Sequence, residues 1–216
     1  EIGAAVTARA TDFNMQEKAV PADGVITGYG VVNSNLVYIY SQDASAMNGT
    51  IGEMHAKKIV RLYELAMKTG APVIGLVDCA GFRLQEATDA LNAFGEIYLK
   101  QTLASGVIPQ ITAIFGSCGG GLALMPTLTD FTFMEESKAK LFVNAPNTLD
   151  GNHVSKCDSA SAKFQSEEAG IVDVVADEAT IYAKIRELVS MLPGNNEDDA
   201  SYEECTDDLN RVCGDL

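Results

Sequence analysis

The stretch Ile111-Thr-Ala-Ile-Phe-Gly-Ser-Cys-Gly-Gly-Gly-Leu-Ala-Leu-Met-Pro126 decides how this chain is read: an apolar run, a burst of glycine, then helix-compatible residues. It predicts a strand over Gln110 to Phe115, a tight turn and a helix. The consecutive Gly119, Gly120 and Gly121 remove every Cβ from the turn, which lets a ligand approach the backbone and permits φ > 0. The leading amides of a following helix have no partner within it and point out of its positive end, a cradle for an oxygen bearing negative charge. A glycine turn that only packs a helix closely on a sheet has the same pattern, so a second motif has to separate the readings.

Leu76-Val-Asp-Cys-Ala-Gly-Phe-Arg-Leu-Gln-Glu86 is that motif. A strand from Pro72 to Val77 runs into a turn of small residues and then into a helix from Leu84 to Leu103, with Leu91, Phe94, Tyr98 and Leu99 on one side. Two such strand-end turns can face one another. A thioester enolate needs two N–H donors converging on one oxygen, and Gly81 with Gly120 or Gly121 meets that need.

These residues resemble a known family. Asp78-Cys-Ala-Gly-Phe-Arg-Leu-Gln-Glu86 with Phe94-Gly-Glu-Ile-Tyr98, and Gly116-Ser-Cys-Gly-Gly-Gly121 with Leu128-Thr-Asp-Phe-Thr-Phe-Met134, are similar to the biotin-dependent acyl-CoA carboxyltransferases, in particular the N-terminal half of the propionyl-CoA carboxylase β type. The resemblance runs from about Val25 to the tail. It implies an oxyanion site at Gly81, Gly120 and Gly121, with Ala80, Phe82, Arg83 and Gly119 around the acyl-CoA. Gly52-Glu-Met-His-Ala-Lys-Lys-Ile59 resembles a stretch close to that family's CoA site, which assigns Lys57 and Lys58 to the phosphates. Within the first motif Cys79, Ala80 and Phe82 stand where the family usually has Ser, Gly and Ala, which leaves the acyl group open.

The resemblance further implies that biotin, on a separate carrier protein, brings the carboxyl group and serves as the base. No catalytic Asp, His or Glu is then required, and Asp78, Glu86 and Glu96 default to structural roles. A complementary C-terminal-type half and a homo- or hetero-oligomer are the implied partners. Without that half, the chain is expected to bind short-chain acyl-CoA but not to turn it over. The same half-reaction in reverse serves decarboxylases of the glutaconyl-CoA or malonate type, and a noncatalytic acyl-CoA-binding assembly subunit is a further alternative.

Composition narrows the field. At 216 residues the chain is long enough to bury a core, and its 47% hydrophobic and 21% charged residues are ordinary for a globular protein. A net charge of −15, from 30 acidic against 15 basic residues, repels nucleic acid and anionic membrane. No apolar stretch reaches the ~18 residues of a membrane span. Cys79, Cys118, Cys157, Cys205 and Cys213 include no C-x-x-C pair, which excludes a zinc ribbon and a disulfide framework and points to a reducing, cytoplasmic setting with no metal.

Along the chain, residues 1–24 read as a loosely structured lead-in with a helical turn at Met15 to Lys18. Val25 to Ser41 reads as a β-hairpin around Asn33-Ser-Asn35. Ile51 to Thr69 is a helix with Ile59, Tyr63, Ala66 and Met67 on one face and Lys57, Lys58 and Arg61 on its basic side. His55 on it reads as a packing residue. Asp130 to Met134 and Lys140 to Asn144 are short strands, and Ala145 to Lys163 is a surface loop and candidate lid. Ser166-Glu-Glu168 resembles a helix start, Ile171 to Val175 a strand, and Asp177 caps a helix bearing Ile181, Ile185, Leu188, Val189 and Leu192. Residues 25–194 thus form one acyl-CoA-binding domain, and 195–216 an acidic tail or linker.

Strands alternating with helices imply βαβ units and a mostly parallel sheet. With two oxyanion-type turns at strand ends, the expected α/β fold is the crotonase-like ββα superhelix. A rival reading makes Cys118 the nucleophile of a hydrolase, which requires His55 or His153 beside it.

Overall fold

The computed structural model describes residues 1–195, 197–198 and 206–208, so most of the expected acidic tail, with Cys205 and Cys213, lies outside the described residues. The fold begins with the hairpin. Asn33 and Ser34 take φ of 47° and 72°, the pair of positive values that a two-residue type I′ turn requires. They join β1 (Val25–Val32) to β2 (Asn35–Gln42) in an antiparallel register from Val32↔Asn35 to Val25↔Gln42.

Thereafter strands and helices alternate: α1 (Glu53–Thr69), β3 (Val73–Cys79), α2 (Ala87–Ala104), β4 (Gln110–Gly119), α3 (Leu124–Thr127), β5 (Phe131–Glu135), β6 (Lys140–Phe142), α4 (Ala162–Glu167), β7 (Val174–Ala176) and α5 (Glu178–Met191). Gly70 ends α1 in the left-handed conformation, and Pro72 beyond it prevents continuation. Every strand pair after the hairpin is parallel: β2 with β3, β3 with β4, β5 with β7, and β4 with both β5 and β6. Beyond β3, β4 reaches both β5 and β6 because it is long: Ile111 to Ile114 pair with β5, and Ser117 to Gly119 with β6.

Side-chain alternation along the strands builds a core on each face of the sheet. Val37, Ile74, Ile111, Ala113 and Phe133 face α5, which presents Ile181, Ile185 and Val189 at helical spacing. Tyr38, Tyr40, Val73, Val77, Ile114 and Met134 face the other way, against Ile59, Leu62 and Tyr63 of α1 and Phe94 and Ile97 of α2. Full burial of such side chains contributes about 1.5–3 kcal/mol each.

Four expectations need correction. Residues 1–24 are tied down rather than loose: Met15 and Val20 are buried with Ala46, Ile2 bridges Thr27, and Asp23 has no exposed surface. β4 does not stop at Phe115 but runs through Gly119, and it leads into a 3-10 turn, Gly120–Ala123, and one turn of α-helix. Ser166 lies in the last turn of α4 rather than starting it; the cap is Ser161, whose hydroxyl accepts Phe164 N–H at 3.3 Å. β7 is three residues long and starts at Val174 rather than Ile171, because its partner β5 pairs only from Phe133 to Glu135.

Candidate functional site

β3 and β4 are adjacent and parallel, so the turns at their C-terminal ends are neighbours; the last aligned pair is Cys79↔Cys118. Two residues beyond each cysteine stand Gly81, at φ 114°, and Gly120, at φ 65°. These are conformations in which a side chain is strained. A Cβ built on Gly81 would lie 3.5 Å from the Gly119 carbonyl oxygen, so the two turns abut. A Cβ on Gly120 would meet nothing within 4 Å among the described residues. Ala80, Phe82 and Gly121 are exposed beside them. The sequence prediction that the two turns face one another agrees with this geometry.

Each turn is anchored by its backbone. Ala80 N–H donates to the Asn48 carbonyl at 3.0 Å, Ile51 N–H to the Gly81 carbonyl at 2.9 Å, and Arg83 N–H to the Ile51 carbonyl at 2.8 Å. In the second turn the Tyr98 hydroxyl donates to the Gly121 carbonyl at 2.5 Å. Burial raises the Tyr98 phenol above its ordinary value, so it keeps the proton this bond needs. The Phe94 ring lies 5.8 Å from that of Tyr98, tilted by 45°, and receives Phe82 edge-on at 6.5 Å, so a row of three rings connects the two turns. The Phe142 ring packs on Gly119, and the expected lid, Ala145 to Lys163, leaves β6 beside the site.

Not every expected donor faces outward. Gly120 and Gly121 open a 3-10 turn, whose leading amides have no partner within it. Gly81 N–H instead points at Cys79 Sγ, 3.3 Å away. Sulfur is a weak acceptor that an anionic oxygen outcompetes.

Two of the expected CoA-binding cations are committed elsewhere. Arg83 is wholly buried: its guanidinium bonds the Asp23 carboxylate, Glu86 Oε1 at 2.8 Å and the Thr50 carbonyl at 2.8 Å. The second oxygens of those carboxylates accept the first-turn amides of α1, Glu86 Oε2 from Glu53 N–H at 2.6 Å and Asp23 Oδ2 from His55 N–H at 2.7 Å. Burial is the largest influence on Asp23 and raises its carboxyl, against the pull of Arg83. Lys58 is also buried, its ammonium donating to the Ala22 and Val25 carbonyls. Lys57 alone of the three is exposed, paired with Glu53 one turn back.

The nucleophile reading fails on geometry. Cys118 has no exposed surface, its thiol rests on the Leu122 carbonyl at 3.7 Å, and burial raises its pKa well above the ordinary thiol value. His55 is no base for it: its ring is buried between the Asp23 carbonyl, 2.8 Å from Nδ1, and Gln42, 3.3 Å from Nε2, and burial pushes it down to about 3. Cys79 is likewise pushed up to about 12.

Sequence reasoning missed Asp23 and the anchoring role of Tyr98. Phe94 and Tyr98 sit at i, i+4 on α2, a signal of contact with each other but not with Gly121. Asp23 carried no signal, since its partners His55 and Arg83 are 32 and 60 residues away in sequence. A cavity of about 460 Å³, lined by Val107, Pro109, Asp130, Phe131 and Leu192, lies at the opposite end of the strands and takes no part in the site.

Residues 1–215 match the carboxyl transferase domain family. The chain belongs to that family. Among its relatives, the methylmalonyl-CoA decarboxylase subunit alpha of Propionigenium modestum is 41% identical over 97% of this chain and 41% of its own length. The propionyl-CoA carboxylase beta chain of Roseobacter denitrificans (strain ATCC 33942 / OCh 114) is 38% identical over 96% of this chain and 41% of its own. The transcarboxylase 12S core, solved as a hexamer with hydrolysed methylmalonyl-coenzyme A bound, superimposes with a TM-score of 0.90 at 35% identity, covering 96% of this chain and 41% of that one. The carboxyl transferase domain thus has the crotonase-like fold expected from the sequence, and the chain spans about two fifths of the relatives it matches.

Proposed function

We propose that this chain is the acyl-CoA-binding half of a biotin-dependent carboxyltransferase, moving a carboxyl group between carboxybiotin and a short-chain acyl-CoA through a thioester enolate. The observation that carries the reading is the abutment of the Gly81 and Gly120 turns, with open space over Gly120. The thioester oxygen sits at the leading amides of the Gly120–Ala123 turn, and Gly81 N–H swings from Cys79 Sγ to the same oxygen as negative charge develops there. Each such donor contributes about 3 kcal/mol to the transition state, roughly a hundredfold in rate. Ala80 and Phe82 flank the acyl group, Gly119 lets it approach, and Lys57 is the cation for the phosphates. Biotin, on a carrier protein and seated against a complementary C-terminal-type half, supplies the carboxyl group.

Propionyl-CoA and methylmalonyl-CoA are the substrate pair that the names of the relatives favour, and the P. modestum relative favours decarboxylation as a second direction through the same enolate. Oligomeric assembly is supported by the hexamer of the transcarboxylase core. The buried free thiols of Cys79 and Cys118 favour a reducing, cytoplasmic compartment. Calorimetry with acetyl-, propionyl- and glutaconyl-CoA tests the reading: heat with at least one of them, and no turnover by this chain alone, is expected. Absence of heat with all three, from protein whose circular dichroism is that of the folded state, overturns it.

A further inference from the structure

We propose that Asp78 is a positioning residue whose carboxylate fills a break in register between β3 and β4 and so holds the Gly81 and Gly120 turns at their working separation. The inference rests on the oxyanion reading of those turns. From Val73↔Gln110 to Val77↔Ile114 the two strands advance in step; pairing then resumes at Cys79↔Cys118, so two steps along β3 correspond to four along β4. Phe115, Gly116 and Ser117, two more residues than β3 offers opposite them, arch away from the β3 ladder. Asp78 is the one β3 residue opposite that arch, and it turns its carboxylate into it.

The fit is close on both sides. Asp78 Oδ1 accepts Ser117 N–H at 3.0 Å, an amide that the arch would otherwise leave without this partner. The carboxylate lies so close to Gly116 that any Cβ there would overlap it, and the Asp78 carbonyl fills the space beside Gly49 in the same way. Gly81 follows Asp78 by three residues and Gly120 follows Ser117 by three, so the Asp78–Ser117 bond ties the roots of both turns. Asp78 is only half-buried and Ser117 is exposed. The tie therefore governs the spacing of the turns far more than the stability of the core.

The test uses the chain assembled with its complementary half and propionyl-CoA isotope-labelled at the thioester carbonyl. Difference infrared spectroscopy reads the bound carbonyl stretch, and kcat and KM for carboxyl transfer are measured beside the melting temperature. The wild type lowers the stretch relative to free propionyl-CoA. Asp78→Ala returns it toward the free value and lowers kcat about a hundredfold with KM little changed, because donors displaced by ~1 Å lose the transition state rather than the substrate. Asp78→Asn, which keeps the Oδ1 acceptor, restores both. Gly116→Ala, which expels the carboxylate, reproduces Asp78→Ala, and the double variant loses little more because both act on one contact.

If Asp78→Ala fails to fold, Asp78→Asn and Gly116→Ala carry the same comparison. A wild-type band and rate in Asp78→Ala, equal damage from Asp78→Asn, or additive losses in the double variant each sink the inference while the oxyanion reading stands. A wild-type complex with no lowered carbonyl band removes the oxyanion reading, and this inference with it.

Discussion

At the scale of single residues, Gly120 and Cys118 separate the two chemistries that share one motif. A Cβ at Gly120 meets nothing within 4 Å among the described residues, so Gly120→Ala costs only the conformational strain of φ 65°, about 1 kcal/mol. On the proposed reading, the same Cβ stands where the thioester approaches. Carboxyl transfer by the assembled complex is therefore expected to fall about a hundredfold with a small drop in melting temperature. Cys118→Ser nearly preserves side-chain size on a residue whose thiol is buried and protonated, and it should leave transfer unaffected. Turnover abolished by Cys118→Ser and spared by Gly120→Ala would reverse the assignment. The glycines were legible in the sequence because their requirement is local: a backbone at positive φ selects the residue itself. Arg83 and Lys58 were not, since a cation that pairs with a carboxylate or carbonyl dozens of residues away has the same one-letter appearance as one that waits for a phosphate.

At the scale of elements, the Asp23–Arg83–Glu86 cluster joins three of them. Arg83 and Glu86 belong to the turn after β3, Asp23 to the segment before β1, and the carboxylates of Asp23 and Glu86 accept the leading amides of α1. Removing the cation strands two buried carboxylates, a loss of about 3–5 kcal/mol. Arg83→Met should show this in urea denaturation, and Arg83→Met combined with Asp23→Asn and Glu86→Gln should recover part of it, since neutral side chains carry a smaller desolvation penalty. An Arg83→Met variant within about 1 kcal/mol of the wild type would mean that water reaches the cluster. The longer elements were legible for the usual reasons, periodicity and punctuation: Gly70 and Pro72 after α1, Asp177 before α5, and the Asn33-Ser34 turn. The short ones were not. Ser161 and Ser166 are equivalent as helix-start signals, and what selects Ser161 is Gln165 reaching the Ser159 carbonyl at 2.7 Å and the Leu141 carbonyl at 3.1 Å, the latter a contact that exists only once β6 is in place.

At the scale of the whole molecule, the parallel sheet follows from alternation that the sequence displays, whereas the N-terminal segment is tied to it by long-range contacts, one of them through His55, where that segment, β2 and α1 meet. His55 lies between the Asp23 carbonyl and Gln42, and burial, with Arg83 and Lys58 nearby, pushes its pKa from 6.5 down to about 3. The unfolded chain therefore binds a proton near pH 6.5 that the folded one refuses until about 3. Stability from this group is complete above pH 6.5 and is lost as pH falls through the window between those values. Glu64 and Glu135, whose pKa values are lowered from 4.5, act in the same sense only below that window's upper half, and Asp23, raised by burial, acts in the opposite sense. Between pH 6.5 and about 5 the His55 contribution amounts to a loss of about 1.5 kcal/mol. Urea denaturation at a series of pH values should show that decline, and His55→Gln, which has nothing to titrate there, should flatten it even if its stability is lower throughout. A wild-type curve that is level or rising on acidification across this range would mean that His55 takes up its proton in the folded state, and that the N-terminal segment does not seal it from water.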